Sequence, residues 1–360
     1  AIINNREPET YKVVCLASYK PLHQYDWCDS LNLPEECDVL LKRQITDVLR
    51  EASLRRHMPC LKEVDRSVSS LVRSQYEENP YPRWVDTKLR VRPTSISSVC
   101  NLLELKLVND RITFSNKPEI LIAGCGTGQH ALQTATKFAN SKVLAIDLSI
   151  GSLSYAKRKT LELDINNIEY MQADILDLGL LNQRFDIVES VGVLHHMEDP
   201  MAGLKVLTGC LKSHGLMNIG LYSELARREI VIAREYMAKL NLSPERDDII
   251  EFRKHLLESK DDSLFNKFKA SDFFSTSEIR DLLFHVQEHR FTLPQIKECL
   301  ETLGLSFAGF EFSNKNIQKE FEQTCTEADK AYDLEAWHNF EVDNPDSFNG
   351  MYQFWVQKIA

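Results

Sequence analysis

Three glycines at alternate positions, Gly124, Gly126 and Gly128, follow directly on the apolar run Ile120–Ala123. A run of that kind suits a strand buried on both faces. Glycines just beyond it allow a sharp turn where a ligand can approach bare backbone. Two carboxylates extend this binding chemistry. Asp147 closes the apolar stretch Lys142–Ser149, roughly 20 residues past the glycines, where an acid can accept hydrogen bonds from two ribose hydroxyls. Asp174 follows a third stretch, Ile168–Gln172. For proton transfer the candidates are His195 and His196, just beyond a fourth stretch, Phe185–Ser190, with Glu189, Tyr76, Tyr81 and Tyr222 as rivals. A glycine turn also occurs for purely structural reasons, so the turn decides little by itself.

The elements that must position these residues are legible around them. Gln129–Ala139 places Ala131, Leu132, Ala135 and Phe138 at helical spacing. Strand, glycine turn and helix make half of a nucleotide-type site, and four strand ends carrying polar or glycine residues share one sheet edge. A dinucleotide site needs G-x-G-x-x-G, with the pyrophosphate on the helix N-terminus. Here the third glycine comes one residue early, position 129 is Gln, and no Walker lysine follows.

Together these motifs resemble those of the class I S-adenosylmethionine-dependent methyltransferases. Glu119 through Gly128 matches the acid, strand and G-x-G-x-G of the family's first motif, and Asp147 its ribose-binding acid. Asp174 with Ile175 matches the acid near the adenine, and Phe185–Pro200 the family's FDxVxxxxVLHHxxDP pattern. The resemblance implies an α/β, Rossmann-like, seven-stranded, mostly parallel sheet with the last strand antiparallel, plus an N-terminal helical region and a helical lid insertion. It also implies S-adenosyl-L-methionine as cofactor, with S-adenosyl-L-homocysteine as product. The cofactor would meet Glu119, Gly124, Cys125, Gly126, Gly128, Asp147, Leu148, Asp174, Ile175, Ser190 and Val191. In that family the His-His pair recurs across unrelated acceptors, which favours a structural role over a basic one. The Asp/Asn-Pro-Pro-aromatic signature of N-methyltransferases is absent after the fourth strand. That weakens nucleic-acid adenine and glutamine amides as acceptors.

Composition narrows the class. The 360 residues suffice for a sizeable core and more than one domain. No apolar stretch approaches the ~18 residues of a spanning helix, and AIINNREPET has no signal-peptide pattern. The chain does not begin with Met, which fits a processed chain or a piece of a longer one. Residues 1–115 hold 17 basic and 16 acidic side chains, the remainder 26 and 37. An acidic catalytic half disfavours phosphate-backbone binding. Nine scattered cysteines without a C-x-x-C pair suggest reduced thiols in a cytosolic setting and no zinc knuckle.

We expect a helical region at 1–75, a cofactor-covering segment at 76–115, a core at 116–222 and 303–360, and a helical lid at 223–302. In the first, Leu40, Leu41, Ile45, Val48, Leu49 and Ala52 form an apolar stripe, with Arg43, Asp47, Arg50 and Glu51 off it. QYEENPYPRW resembles the segment that follows tetratricopeptide arrays in a family of bacterial methyltransferases. It reads either as a packed linker or as a flap in which Tyr76, Tyr81 and Arg83 border the site near Asn79. His214 reads as a turn residue before a fifth strand at Leu216–Tyr222. The lid is expected as helices at Glu224–Leu240, Asp247–Ser259 and Ser277–Arg290. The last would put His285 and His289 on one face for substrate contact, a metal lacking a third ligand. Two closing strands, Leu305–Phe312 and Met351–Gln357, flank a polar helical excursion at Lys315–Phe340. The expected activity is methyl transfer to an acceptor, a small molecule or a protein side chain, with protein contacts through the N-terminal helices and no membrane. The rivals are a non-catalytic binding module and an NAD-dependent enzyme.

Overall fold

The computed structural model describes residues 8–63, 67–78, 80–258, 275–312, 314–325 and 327–359. Asn79 and Ser259 lie outside the described residues. Seven strands form one sheet: β1 (Glu119–Ala123), β2 (Lys142–Asp147), β3 (Ile168–Gln172), β4 (Phe185–Val191), β5 (Leu211–Tyr222), β6 (Leu305–Phe310) and β7 (Met351–Lys358). Around it pack α1 (Asp47–Arg55), α2 (Ser67–Glu78), α3 (Gln129–Lys137), α4 (Ile150–Glu162), α5 (Arg228–Lys239), α6 (Arg246–Glu258), α7 (Thr276–Phe284) and α8 (Leu334–Asp343). The strand order is β3-β2-β1-β4-β5-β7-β6. β1 to β5 pair in parallel, and β7 runs antiparallel to both β5 and β6, as the resemblance implies. The order reverses beside β1, so a crevice opens past the carboxyl ends of β1 and β4, where α/β sheets bind ligands.

Burial on both faces explains the apolar strands. Ile120 and Ile122 belong to a core under α3 and α4, while Leu121 and Ala123 belong to the core on the opposite face. Alternate side chains of an extended chain leave on opposite sides, so one unbroken run serves two cores.

Four expectations change. β5 begins at Leu211, because a bulge carries the extra residues. Phe185 pairs with Leu211 but Ile187 with Leu216, and His214 sits inside the bulge at φ 63°. The 315–340 excursion is also not merely polar. Phe321 stacks on Trp337 at 3.7 Å, and both are buried against Phe310 in the sheet core.

In the N-terminal region a π-turn at Lys42–Thr46 precedes α1 and rotates the stripe. Asp47 is buried while Leu49 is 52% exposed. α1 docks on α4 through carboxylates instead. The Arg158 guanidinium meets Glu51 at 2.8 Å, Glu162 at 2.8 Å and Asp47 at 3.3 Å. Lys42 also reaches Asp47 at 2.7 Å and Glu162 at 2.9 Å, so Arg158 is the buried one of two cations that hold these acids.

Last, α7 ends at Phe284, short of the expected Arg290. His285 has ψ 134°, outside the helical region, and Phe291 N–H donates to Tyr222 O, tying the segment back to the sheet. α5, α6 and α7 share a small core of their own around Phe252, Met237 and Leu283. Among the described residues no helix is long and apolar enough to cross a membrane, and all nine cysteines are free.

Candidate active site

The glycine turn is built around Asp147. Gly124 and Gly126 adopt φ of +80° and +51°, a left-handed backbone that side chains resist. That conformation turns the Gly126 N–H onto Asp147 Oδ2 at 2.8 Å, while Ser149 N–H donates to Oδ1 at 2.9 Å. Burial pushes this carboxyl above its ordinary range, and the two amides oppose the rise. A cavity of about 510 Å³ opens here, within the range of small-molecule sites.

Of the residues expected around a cofactor, Gly124, Cys125, Gly126, Asp147, Leu148, Asp174, Ile175 and Val191 line the cavity. Three do not. Glu119 stands at the amino end of β1, a strand length away, and pairs with Lys212 at 2.8 Å. A Cβ on Gly128 would come within 2.5 Å of the Ala156 Cβ, so that glycine serves helix packing. Ser190 is buried and donates to Ala123 O on the neighbouring strand.

The aromatic segment packs on the glycine turn. Tyr76, Tyr81 and Pro82 line the cavity. Trp84 Nε1 donates to Thr127 O at 3.1 Å, the Thr127 hydroxyl donates to Pro82 O, and the Tyr155 hydroxyl donates to Trp84 O. Arg83 does not reach the cavity. It is exposed, with its guanidinium over the Tyr155 ring. α2 adds a contact at the far acid, where Ser69 Oγ donates to Asp174 Oδ2 at 2.7 Å and Leu176 N–H to Oδ1. Leu148, Ile175 and Val72 give that end apolar walls.

At the other end of the cavity stand Tyr76, His196, Tyr222, Arg227 and Asp281. The Tyr76 hydroxyl donates to Asp281 Oδ1 at 2.6 Å, joining flap to lid. Burial, with Asp281 beside it, holds that phenol protonated, so Tyr76 is no base. Tyr222 lies between the Arg227 guanidinium and the His195 ring, each 3.6 Å from its centroid. His195 is 0% exposed, its ring nitrogens are buried without a side-chain partner among the described residues, and it does not line the cavity. His196 differs. Its Nδ1 donates to Gln287 O at 2.7 Å, because a carbonyl only accepts, and that leaves the Nε2 lone pair available. Burial first, then the neighbouring His195 and His285, pushes His196 well below the usual histidine range and keeps it neutral.

His285 and His289 do not share a helix face. His285 stacks on His196 at 3.5 Å, and burial lowers it to about 4. His289 donates its backbone N–H to His195 O, and its Nε2 lies 2.9 Å from the Gln287 amide. Neither lines the cavity, and among the described residues no group of histidines, cysteines and acids could hold a metal.

The sequence reading missed His130, Arg227 and Asp281. His130 sits one residue inside α3 and lines the cavity, its Nε2 2.6 Å from Glu189 Oε2. A histidine at the second helical position after a glycine turn is the signal that pointed to it. Glu189, a rival base, is committed to that contact and to Thr134 Oγ1 at 2.6 Å. Arg227 and Asp281 come from the lid, where no spacing rule reaches. Arg227, the one Lys or Arg lining the cavity among the described residues, is bound to Glu288 at 2.7 Å. Among the described residues no free arginine or lysine is therefore left to clamp a diphosphate, which weakens the support for a dinucleotide.

Known proteins share parts of this sequence and this fold. Residues 120–215 match the family model described as a methyltransferase domain. An uncharacterized protein of Synechococcus sp. is 28% identical over 235 residues, covering 63% of this chain and 56% of that protein. The ubiquinone biosynthesis O-methyltransferase of Haemophilus ducreyi is 28% identical over 129 residues, covering 34% of this chain and 53% of that protein. The structure of PKMT2 from Rickettsia typhi in complex with AdoHcy superposes with a TM-score of 0.56 at 18% identity, covering 77% of this chain and 54% of that one. This chain spans about half the length of the curated relatives it matches.

Proposed function

We propose that this class I S-adenosylmethionine-dependent methyltransferase carries the methyl group of its cofactor to an oxygen or nitrogen nucleophile of an acceptor, a small molecule or a protein side chain, held beside His196. When bound, S-adenosylmethionine supplies an electrophilic methyl on a positively charged sulfur. Asp147 accepts the ribose hydroxyls with the lone pairs its two backbone donors leave free. Asp174, Leu148 and Ile175 border the adenine, and the Gly124–Gly126 backbone the rest of the nucleoside. His196, pinned by Gln287 O, takes the proton that the acceptor loses through Nε2, as a base that burial keeps both neutral and weak. The Tyr76–Asp281 contact closes the acceptor chamber and keeps water from competing for the methyl group.

The observation that carries this reading is the Asp147 carboxylate bonded to Gly126 N–H inside a cavity whose one Lys or Arg among the described residues is already paired with Glu288. That arrangement suits a nucleoside without phosphates. The O-methyltransferase named above and the (S)-coclaurine N-methyltransferase of Papaver somniferum, 29% identical over 113 residues, leave both acceptor elements open. The test is transfer of radiolabelled methyl from S-adenosylmethionine into fractionated cell extract. Label in polypeptide selects a protein acceptor, label in small molecules a metabolite. No transfer into any fraction, with cofactor bound, would refute catalysis.

A further inference from the structure

His130 and Glu189 form a pair that the reading above does not use. Glu189 projects from the middle strand of the sheet, is 1% exposed, and directs Oε2 at His130 Nε2 (2.6 Å) and Thr134 Oγ1 (2.6 Å). A buried carboxylate is stable only when a cation or several donors face it. Lys137, on the same helix, is the other nearby cation, and it is shared with Glu311 at 3.8 Å. Burial disfavours charge on His130, but Glu189 outweighs it and raises the ring above its ordinary value. An imidazolium donates from both nitrogens. Nε2 is spent on Glu189, while Nδ1 has no hydrogen bond among the described residues and is not among the buried unpaired atoms. The ring lines the cavity beside Gln129 and the glycine turn, at the N-terminal end of the nine-residue α3.

We infer that His130, held by Glu189, is the anchor for the carboxylate of the cofactor's amino-acid tail. The inference rests on the S-adenosylmethionine reading of the turn, since that cofactor carries one anionic group, at the far end from the adenine. Asp147 then grips the sugar and His130 the tail. The turn between them sets the span, and the site distinguishes the whole cofactor from adenosine thioethers that lack the tail. A phosphate would ask for more than one free donor group, and Arg227 is committed elsewhere.

The test is titration calorimetry of the full chain and of His130→Gln with two ligands, S-adenosylhomocysteine and 5′-methylthioadenosine. They share the adenosine and the sulfur, and only the first has the carboxylate. We expect His130→Gln to weaken S-adenosylhomocysteine by about tenfold or more, as loss of a charge-assisted hydrogen bond does, and to leave 5′-methylthioadenosine within about twofold. Thermal unfolding of both proteins with 5′-methylthioadenosine checks that the variant is folded. Equal losses for both ligands, or no loss for either, overturn the anchor and leave the adenosine reading standing. If the unsubstituted chain binds neither ligand, that reading falls and takes the anchor with it.

Discussion

Replacing Asp147 by Asn separates its two jobs. In the native chain its oxygens take Gly126 N–H at 2.8 Å and Ser149 N–H at 2.9 Å, and by our reading two ribose hydroxyls as well. An amide keeps one accepting oxygen and turns an NH₂ on the other donor, so one buried N–H is left facing another. That costs about 1–3 kcal/mol of stability. On the ligand side, each hydroxyl bonded to an ionised acceptor is worth about 1.5–3 kcal/mol. Since the amide oxygen can still accept from one hydroxyl, losing the other predicts about 1.5–3 kcal/mol, or roughly ten- to a hundredfold in Kd. Affinity alone would not distinguish a lost contact from a loosened turn. The decisive assay is calorimetry with 5′-methylthioadenosine and its 2′,3′-dideoxy analogue. The native chain should prefer the first by at least the margin above, and Asp147→Asn should lose most of that preference. A variant that keeps the preference would refute the ribose assignment, whatever its absolute affinity.

His196→Gln should slow methyl transfer at saturating cofactor by about 10²–10⁴-fold, the range of a lost general base. S-adenosylhomocysteine affinity should stay near native, and an unchanged transfer rate would move the proton elsewhere. Acid should weaken the fold in a defined window. The unfolded chain protonates its histidines near 6.5, whereas folded His285 resists until about 4. Stability therefore falls as pH drops from about 6.5 to 4 and is unaffected by this group above that range. A gap of about 2.5 units makes this on the order of 3 kcal/mol, and buried His195 and His196 act in the same direction. Denaturant titrations between pH 7 and pH 4.5 measure the slope, which His285→Phe should flatten. A slope the substitution leaves unaltered would place the acid sensitivity in other groups.

How much of this was legible in the chain follows from the range of each signal. The first two strand runs, the glycine turn and Asp147 lie within about thirty residues of one another, and their reading needs only period and turn chemistry. Glu119 and Ser190 misled because a matching motif says nothing about which end or side of a strand faces the cavity. The excursion at 315–340 looked polar because Phe321 and Trp337 are spaced across two helices, and their stacking is visible only in three dimensions. Asp47 defied its stripe because a single π-turn shifts every later side chain around the axis. His285 and His289 failed as a helical pair because α7 stops at Phe284, where the chain leaves to meet β5. Arg227 and Asp281 join the site through the lid's own packing, which no local spacing encodes.

α2, which precedes the sheet by some forty residues, supplies Ser69 to Asp174, Glu77 to the amide of Gly151, and Tyr76 to Asp281. The binding chamber thus has a roof that the minimal sheet cannot furnish. A fragment trimmed to begin at the first strand would lose its grip on the nucleoside, together with Trp84, Ile96, Val99, Cys100 and Ile112 from the core under α3 and α4. In the intact chain, ligand and roof must favour each other: at a hundred times its Kd, a ligand would hold the roofed state down by about 2.7 kcal/mol. Backbone amides of α2 should accordingly exchange with solvent more slowly when the chamber is filled.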